Sequence, residues 1–389
     1  MKQIRTTYLN NKFLYSLSIL SGTVVFSGKF KYKLLPKLLQ IVLISIHIFI
    51  LIKVTIIDIP GWDRMGSFSN STVLLCLSKS YSYGYPLNAI SAVVILSLFN
   101  KTSVSVWKEI NRIDNIIEKL GFQKKLRKQN RRIWYRSSFA ILEYVLQYII
   151  LLTYEWRWFE VVHHFTFFII CVSVKVQYYT FVSSIAGRFT VLNSFLKKTV
   201  NAFAPRKCNE LGKKVILVIE QHKRLVALAR TINKIYSFLL FSYIGFDSVI
   251  LITHSYSLLN LTLHKISVEE MTYTLHIIIP NLFSAAFNLY LLASCSNVVC
   301  TEANATKGIL QELTNHPQST ISTNTIKQIS FHLMNNKLSI TAFKLFNVDF
   351  AIIYSILATT ANYLLIMLQF DLDFMKESGK RTHNTTGKL

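Results

Sequence analysis

The sequence predicts an all-α membrane protein of seven transmembrane helices, with cytoplasmic helical extensions and the N-terminus inside. Three observations predict this. Apolar residues make up 51% of the chain and mean hydropathy is +0.37. Charged residues make up only 16%, against about a quarter in a soluble domain. The apolar residues also fall in runs of about 20, the length that crosses a hydrocarbon core as a helix.

Residues 1–33 read as a cytoplasmic N-terminal segment. Within it, 13–25 is apolar but too short to span, and it lacks a small-residue cleavage site. An interfacial or re-entrant helix is therefore expected, rather than a cleaved signal peptide. The first span covers about 34–59 and stops at Pro60-Gly61. The second covers 72–99 and is interrupted by Lys79, Tyr81, Tyr83, Tyr85 and Pro86. The third covers 135–154, and the fourth covers 160–186 with Lys175 and Gln177 inside it. The fifth covers 237–259, the sixth 273–299 and the seventh 348–370. Spans one to six, 34–299 with their basic links, form the expected ligand-binding bundle. Residues 300–347 read as a cytoplasmic anchor helix, 348–370 as a pore-lining helix and 371–389 as an extracellular tail.

The formal charge of +24 raises the possibility of nucleic-acid binding. Its placement excludes that class, because the basic residues lie between apolar runs and no recognition motif accompanies them. They orient the chain instead. The N-terminal segment and the links after spans two and four are rich in Lys and Arg. The alternate links carry little more than Arg64, Arg157 and Lys265. The positive-inside rule then puts the N-terminus in the cytoplasm and, with seven spans, the C-terminus outside. Glycosylation sequons at Asn70, Asn260 and Asn384 fall on the predicted outside; those at Asn100 and Asn304 fall inside and are expected to stay unmodified.

The cytoplasmic links carry helical spacing of apolar residues. In 212–235, Val215, Val218, Ile219, Leu225, Leu228 and Ile232 recur at about helical intervals. Together with 188–198 they read as extensions of spans four and five. Residues 319–346 read as another amphipathic helix before span seven. The five cysteines show no tight spacing, so neither a disulfide framework nor a zinc site is expected. His163-His164 has no third ligand at convincing spacing. No nucleophile–base pair or phosphate loop appears, and neither an enzyme nor a cofactor is expected.

Near its end the chain reads Ala361-Asn362-Tyr363, five apolar residues, then Gln369-Phe370, with Asp349 at the entry to the last span. This pattern resembles the insect gustatory receptors, which end in Thr-Tyr, five apolar residues and Gln-Phe. Asn362 stands where the family usually has Thr and retains a small polar side chain. The motif covers 326–370, and elsewhere the likeness is one of layout. The resemblance implies a ligand-gated cation channel in the plasma membrane of chemosensory neurons. It also implies a tetramer, of this chain alone or with related subunits, whose last helices line the pore. Each subunit would bind a small-molecule tastant in the outer half of its bundle.

The residues themselves allow that function. On the last span Ser355, Thr359, Asn362, Ile366 and Gln369 recur at three or four residues and form one face. A small, mostly polar stripe suits a pore wall; it equally suits a packing face whose hydroxyls and amides bond across helices. By resemblance Ile366, Gln369 and Phe370 fall at the pore constriction. Asp371 and Asp373 follow, either as acidic rings at the outer mouth or as a solvated tail. The candidate ligand pocket comprises Lys79, Tyr81, Tyr83 and Tyr85 on span two, and Gln147 and Tyr154 on span three. It continues with His163 on span four (His164 beside it), Asp247, His254 and Tyr256 on span five, and Asn281 on span six. Polar groups at such depth are expensive and usually functional. The bland alternative pairs Lys79 with Asp247 and puts the tyrosines in the interfacial belt. Many tyrosines and few carboxylates lean toward bitter or aversive ligands over sugars.

Two other classes stay open. A G-protein-coupled receptor requires the N-terminus outside, and its usual Asp/Glu-Arg-Tyr and Asn-Pro-x-x-Tyr motifs are absent. A secondary transporter would use Lys175 and Asp247 as coupling sites, but no internal repeat is visible.

Overall fold

The computed structural model describes residues 72–152, 158–201, 208–263, 268–315 and 336–386, together with 38, 41, 42, 44–46, 48, 49, 52 and 331. The described residues of the expected first span are helical, and Ile44 packs against the core. The rest of that span, the expected 13–25 helix and Tyr154 lie outside the described residues.

Helix α1 (Thr72–Leu98) is the expected second span and contains Pro86. At Gly84 it passes so close to the next-but-several helix α5 (Cys208–Leu263) that a Cβ would collide with the Phe246 ring. The chain bends by 63° into α2 (Asn100–Lys119). Here Val106, Ile110, Ile113 and Ile117 recur at three or four residues, and all are buried. Gly121, at φ +84°, ends α2 in a Schellman turn. Its N–H donates to Glu118 O (2.9 Å), and the Phe122 N–H donates to Ile117 O (3.2 Å). Helix α3 (Gln123–Leu152) then carries the expected third span.

Three long helices build the centre: α4 (Trp158–Asn201), α5 and α6 (Val268–Asn315). With 44, 56 and 48 residues, they run about 66, 84 and 72 Å at 1.5 Å per residue. A hydrocarbon core is about 30 Å thick, so each helix continues well beyond it. The continuations pack together. Phe189, Leu192 and Leu196 of α4 share a core with Val215, Val218, Leu225 and Ile232 of α5, and with Leu310 and Leu313 of α6. The expected extensions at 188–198 and 212–235 are helical throughout.

Among the described residues, α4, α5, α6 and α7 (Phe350–Thr386) each contain a stretch long and apolar enough to cross a membrane, and α1 with α2 adds a fifth if the bent pair counts as one span.

One expectation needs correction. The anchor helix expected over 319–346 is not continuous. Residues 300–315 continue α6, and 336–349 is irregular apart from a hairpin. Strand β1 (Thr341–Ala342) pairs antiparallel with β2 (Phe346–Asn347), in the register Thr341↔Asn347 and Ala342↔Phe346. Phe343 (φ 49°) and Lys344 (φ 60°) turn it with left-handed backbone, which a helix excludes. Residues 316–330 and 332–335 lie outside the described residues. The tail expected at 371–389 is also helical as far as Thr386. Its polar composition suited it to water, yet no proline interrupts the helix.

The hairpin is held by side chains from two helices. The Asn304 amide of α6 donates to Leu338 O (3.0 Å) and accepts from Leu338 N–H (2.9 Å). Asn233 of α5 accepts from Thr341 N–H (3.1 Å), and Ser237 donates to Thr341 O (3.2 Å). Phe343 N–H donates to Ser237 Oγ (2.8 Å). The segment leads directly into α7, where Asp349 Oδ1 accepts from Ala351 N–H (2.9 Å) and caps the helix.

Candidate functional site

Helix α7 is two-faced. Ile352, Ile356, Thr360, Leu364 and Met367 recur at three or four residues and are partly or fully buried. Ile352 and Ile356 pack on the main core, while Leu364 and Met367 pack on Tyr256 and Ile252 of α5. The other face carries Ser355, Thr359, Asn362, Ile366 and Gln369, all exposed. Ile366 is 46% exposed and Phe370 64%, against 9% for Met367. The sequence-predicted stripe is therefore not the surface by which α7 packs on the described part of its own bundle. Asp371 and Asp373 continue the helix, and their side chains lie outside the described residues.

The expected ligand set is only partly described. Lys79, Tyr81 and Tyr85 lie on α1, Gln147 on α3, and His163 and His164 on α4. Their side chains are outside the described residues. Tyr83 is half-buried on α1. Asp247, His254 and Tyr256 are buried along α5, and Asn281 is buried on α6. Asp247 faces α4, Tyr256 faces α7, and Asn281 donates to its own helix at Ile277 O (3.0 Å).

Asp247 does not need Lys79 as its partner. Its carboxylate lies 3.4 Å from Lys175 Nζ, and the Lys175 ammonium also sits 5.3 Å from the centroid of the Tyr243 ring. The two charges that interrupt spans four and five thus neutralise each other inside the bundle, as groups withdrawn from water must. Asn260 of α5 is 6% exposed. Asn70 lies outside the described residues, and Asn384 does so with its side chain. Asn100 is buried at 6%, and Asn304 is committed to the hairpin.

Sequence reasoning missed a buried ion pair between α2 and the extension of α4. Arg188, 1% exposed on α4, grips Asp114 of α2 in a two-pronged pair: Nε to Oδ1 at 2.9 Å and Nη2 to Oδ2 at 2.7 Å. Its Nη1 donates to Ser184 O (2.9 Å). A signal was available, since Asp114 interrupts the apolar stripe Ile110, Ile113, Ile117. Also missed were Tyr178, hydrogen-bonded to Ser296 (2.7 Å), and Tyr236, which donates to Gln177 Oε1 (3.2 Å). These bonds tie α4 to α6 and to α5. Among the described residues no group of three or more His, Cys, Asp or Glu could hold a metal ion.

The overall fold of the chain is similar to that of solved receptors. The chain matches olfactory receptor OR5 from Machilis hrabei in complex with eugenol at TM-score 0.66, covering 95% of this chain and 100% of that one. Identity is 13%, so the likeness is one of fold. The structure titled as that receptor alone matches at TM-score 0.66 and 12% identity, over 94% and 99%. The sequence profile described as "7tm Chemosensory receptor" matches residues 12–374. The chain belongs to the 7tm chemosensory receptor family. Within it, the chain is similar to "Putative gustatory receptor 28b" of Drosophila melanogaster, 30% identical over 157 residues. That match spans 39% of this chain and about a third of the relative's length, 33%. The resemblance read from the last span is thus borne out as to family, and the fold is that of the insect chemosensory receptors.

Proposed function

We propose that this family member is a gustatory receptor subunit that acts as a ligand-gated cation channel. The carrying observation is the exposed polar stripe of α7, which the described part of its own bundle leaves uncovered. In a tetramer of this chain, or of this chain with related subunits, four such stripes meet around one axis. Asn362 and Gln369 then supply amides to a hydrated cation. Ile366 and Phe370 narrow the pore by dewetting, and Asp371 draws cations to the mouth. Family membership and the fold shared with olfactory receptors support the reading, and the alternation of basic links supports a cytoplasmic N-terminus. The ligand is a small non-volatile tastant, bitter or aversive rather than a sugar, bound among the candidate pocket residues. The hairpin is placed to pass movement of α5 and α6 to the start of α7.

The test is a ligand-panel screen by calcium imaging in cells expressing this chain alone and with related subunits. The reading expects responses to at least one bitter compound that persist when G-protein signalling is blocked. Responses abolished by that block contradict it.

A further inference from the structure

The surface of α3 changes character in a fixed order along its length. Residues 124–132 contain six basic residues and no acidic one: Lys124, Lys125, Arg127, Lys128, Arg131 and Arg132. All six are exposed, and none has an ion-pair partner among the described residues. The next turns expose Trp134 (46%), Tyr135 (60%) and Phe139 (59%). Beyond them the helix exposes Leu142, Leu146 and Ile149. Cations, then amphipathic aromatics, then aliphatics is the order met on passing from water through headgroups into acyl chains. The aromatic turn therefore marks the headgroup level, and the basic turns stand directly on its aqueous side.

A second helix adds to the same positive field. Lys125 donates to Ser194 Oγ of α4, and Lys198 Nζ sits 5.3 Å from the centroid of the Phe122 ring. Burial, and then the Lys198 ammonium, push the Lys125 ammonium below its ordinary value; Lys128 and Lys197 add to this, and Glu302 opposes it. The protein has gathered like charges here at an electrostatic cost and supplies little anion of its own.

We propose that the first turns of α3, with Lys198 of α4 beside them, bind the headgroup of a phosphoinositide in the inner leaflet. Several phosphates on one ring match several cations on two adjoining turns, and each Lys or Arg near such a surface adds attraction. The exposed Trp134 and Tyr135 lie at the depth of the glycerol backbone, which favours a lipid over a soluble phosphate. The proposal rests on the cytoplasmic placement of the basic links for the choice of leaflet. The binding itself is independent of channel activity.

The test titrates purified full-length protein in detergent with a fluorescent short-chain phosphatidylinositol bisphosphate. The expected result is a saturable signal, weakened about tenfold or more in the variant Lys124→Gln/Arg127→Gln/Lys128→Gln/Arg131→Gln. A control removing equal charge elsewhere, Lys213→Gln/Lys223→Gln/Lys234→Gln/Lys337→Gln, is expected to leave affinity within about twofold, because screening confines the field to roughly 10 Å. Thermal unfolding without lipid checks that both variants fold, and Lys128→Glu alone replaces the cluster variant if it does not. Equal loss in the control, or no loss in the cluster variant, overturns the proposal. So does equal affinity for phosphatidylserine at matched charge, which marks diffuse surface attraction. Full competition by free inositol trisphosphate at equimolar concentration also overturns it and assigns the site to a soluble phosphate.

Discussion

Arg188 and Asp114 illustrate what a single buried charge demands. With one partner gone, the other stays in the core without compensation, which costs about 3–5 kcal/mol. Arg188→Leu is therefore expected to lower the unfolding temperature sharply. Arg188→Leu/Asp114→Leu is expected to recover much of the loss, because no charge then remains buried. Thermal unfolding of the purified variants checks this. The pair was legible in outline, as a carboxylate in an apolar helical stripe, but its partner lies 74 residues away and sequence spacing does not reveal it. The same limit applied to Asp247: Lys79 and Lys175 were both available as partners, and only packing of α4 on α5 selects Lys175. Further along α7, Gln369→Ala is expected to change conductance or ion selectivity while surface expression persists. Single-channel amplitudes and reversal potentials measure it, and unchanged values remove Gln369 from the pore.

Helical elements were read well because their apolar residues recur at about 3.6, and that spacing survives without tertiary information. The hairpin was not. Leu338, Ile340 and Ala342 are buried and alternate with less buried Ser339 and Thr341, a period of two. The run is too short for that period to stand out beside a helical one. Its fold is imposed from outside by Asn304, Asn233 and Ser237. Asn304→Ala removes both hydrogen bonds to Leu338 and leaves that backbone unpaired, a cost of about 1–3 kcal/mol. If the hairpin passes movement to α7, ligand-evoked current falls more than surface expression does. Proportional loss of both would make Asn304 purely structural.

The packing of α5 on α4 and α6 also carries a pH dependence. His222, 2% exposed, lies against Phe189 with ring centroids 4.9 Å apart, and its Nε2 is 3.1 Å from Ala303 O. Burial pushes its pKa down from 6.5 to about 4, against a smaller opposing effect of the Ala303 hydrogen bond. The unfolded chain takes up the proton near 6.5, whereas the folded one resists it until about 4. Stability is thus full above the ordinary histidine value and falls as pH drops through that window. Melting temperatures across this window are expected to decline less steeply in His222→Leu than in the parent chain.

At the scale of the molecule, orientation and assembly carry the functional reading. Class and family were legible, because runs of apolar residues and the terminal motif are local signals. The pocket depends on which buried groups converge in three dimensions, and sequence spacing carries no such information. Glycosylation mapping tests the orientation. Sugar at Asn70 and none at Asn100 is expected, and the reverse contradicts a cytoplasmic N-terminus. The pore is tested most directly by single-channel recording of the purified Asn362→Cys variant in planar bilayers, with an agonist from the ligand screen and a thiol reagent added during opening. The account predicts cation-selective, agonist-evoked openings without G protein, whose amplitude drops once the thiol reacts. Agonist-evoked openings whose amplitude is indifferent to the reagent would contradict it.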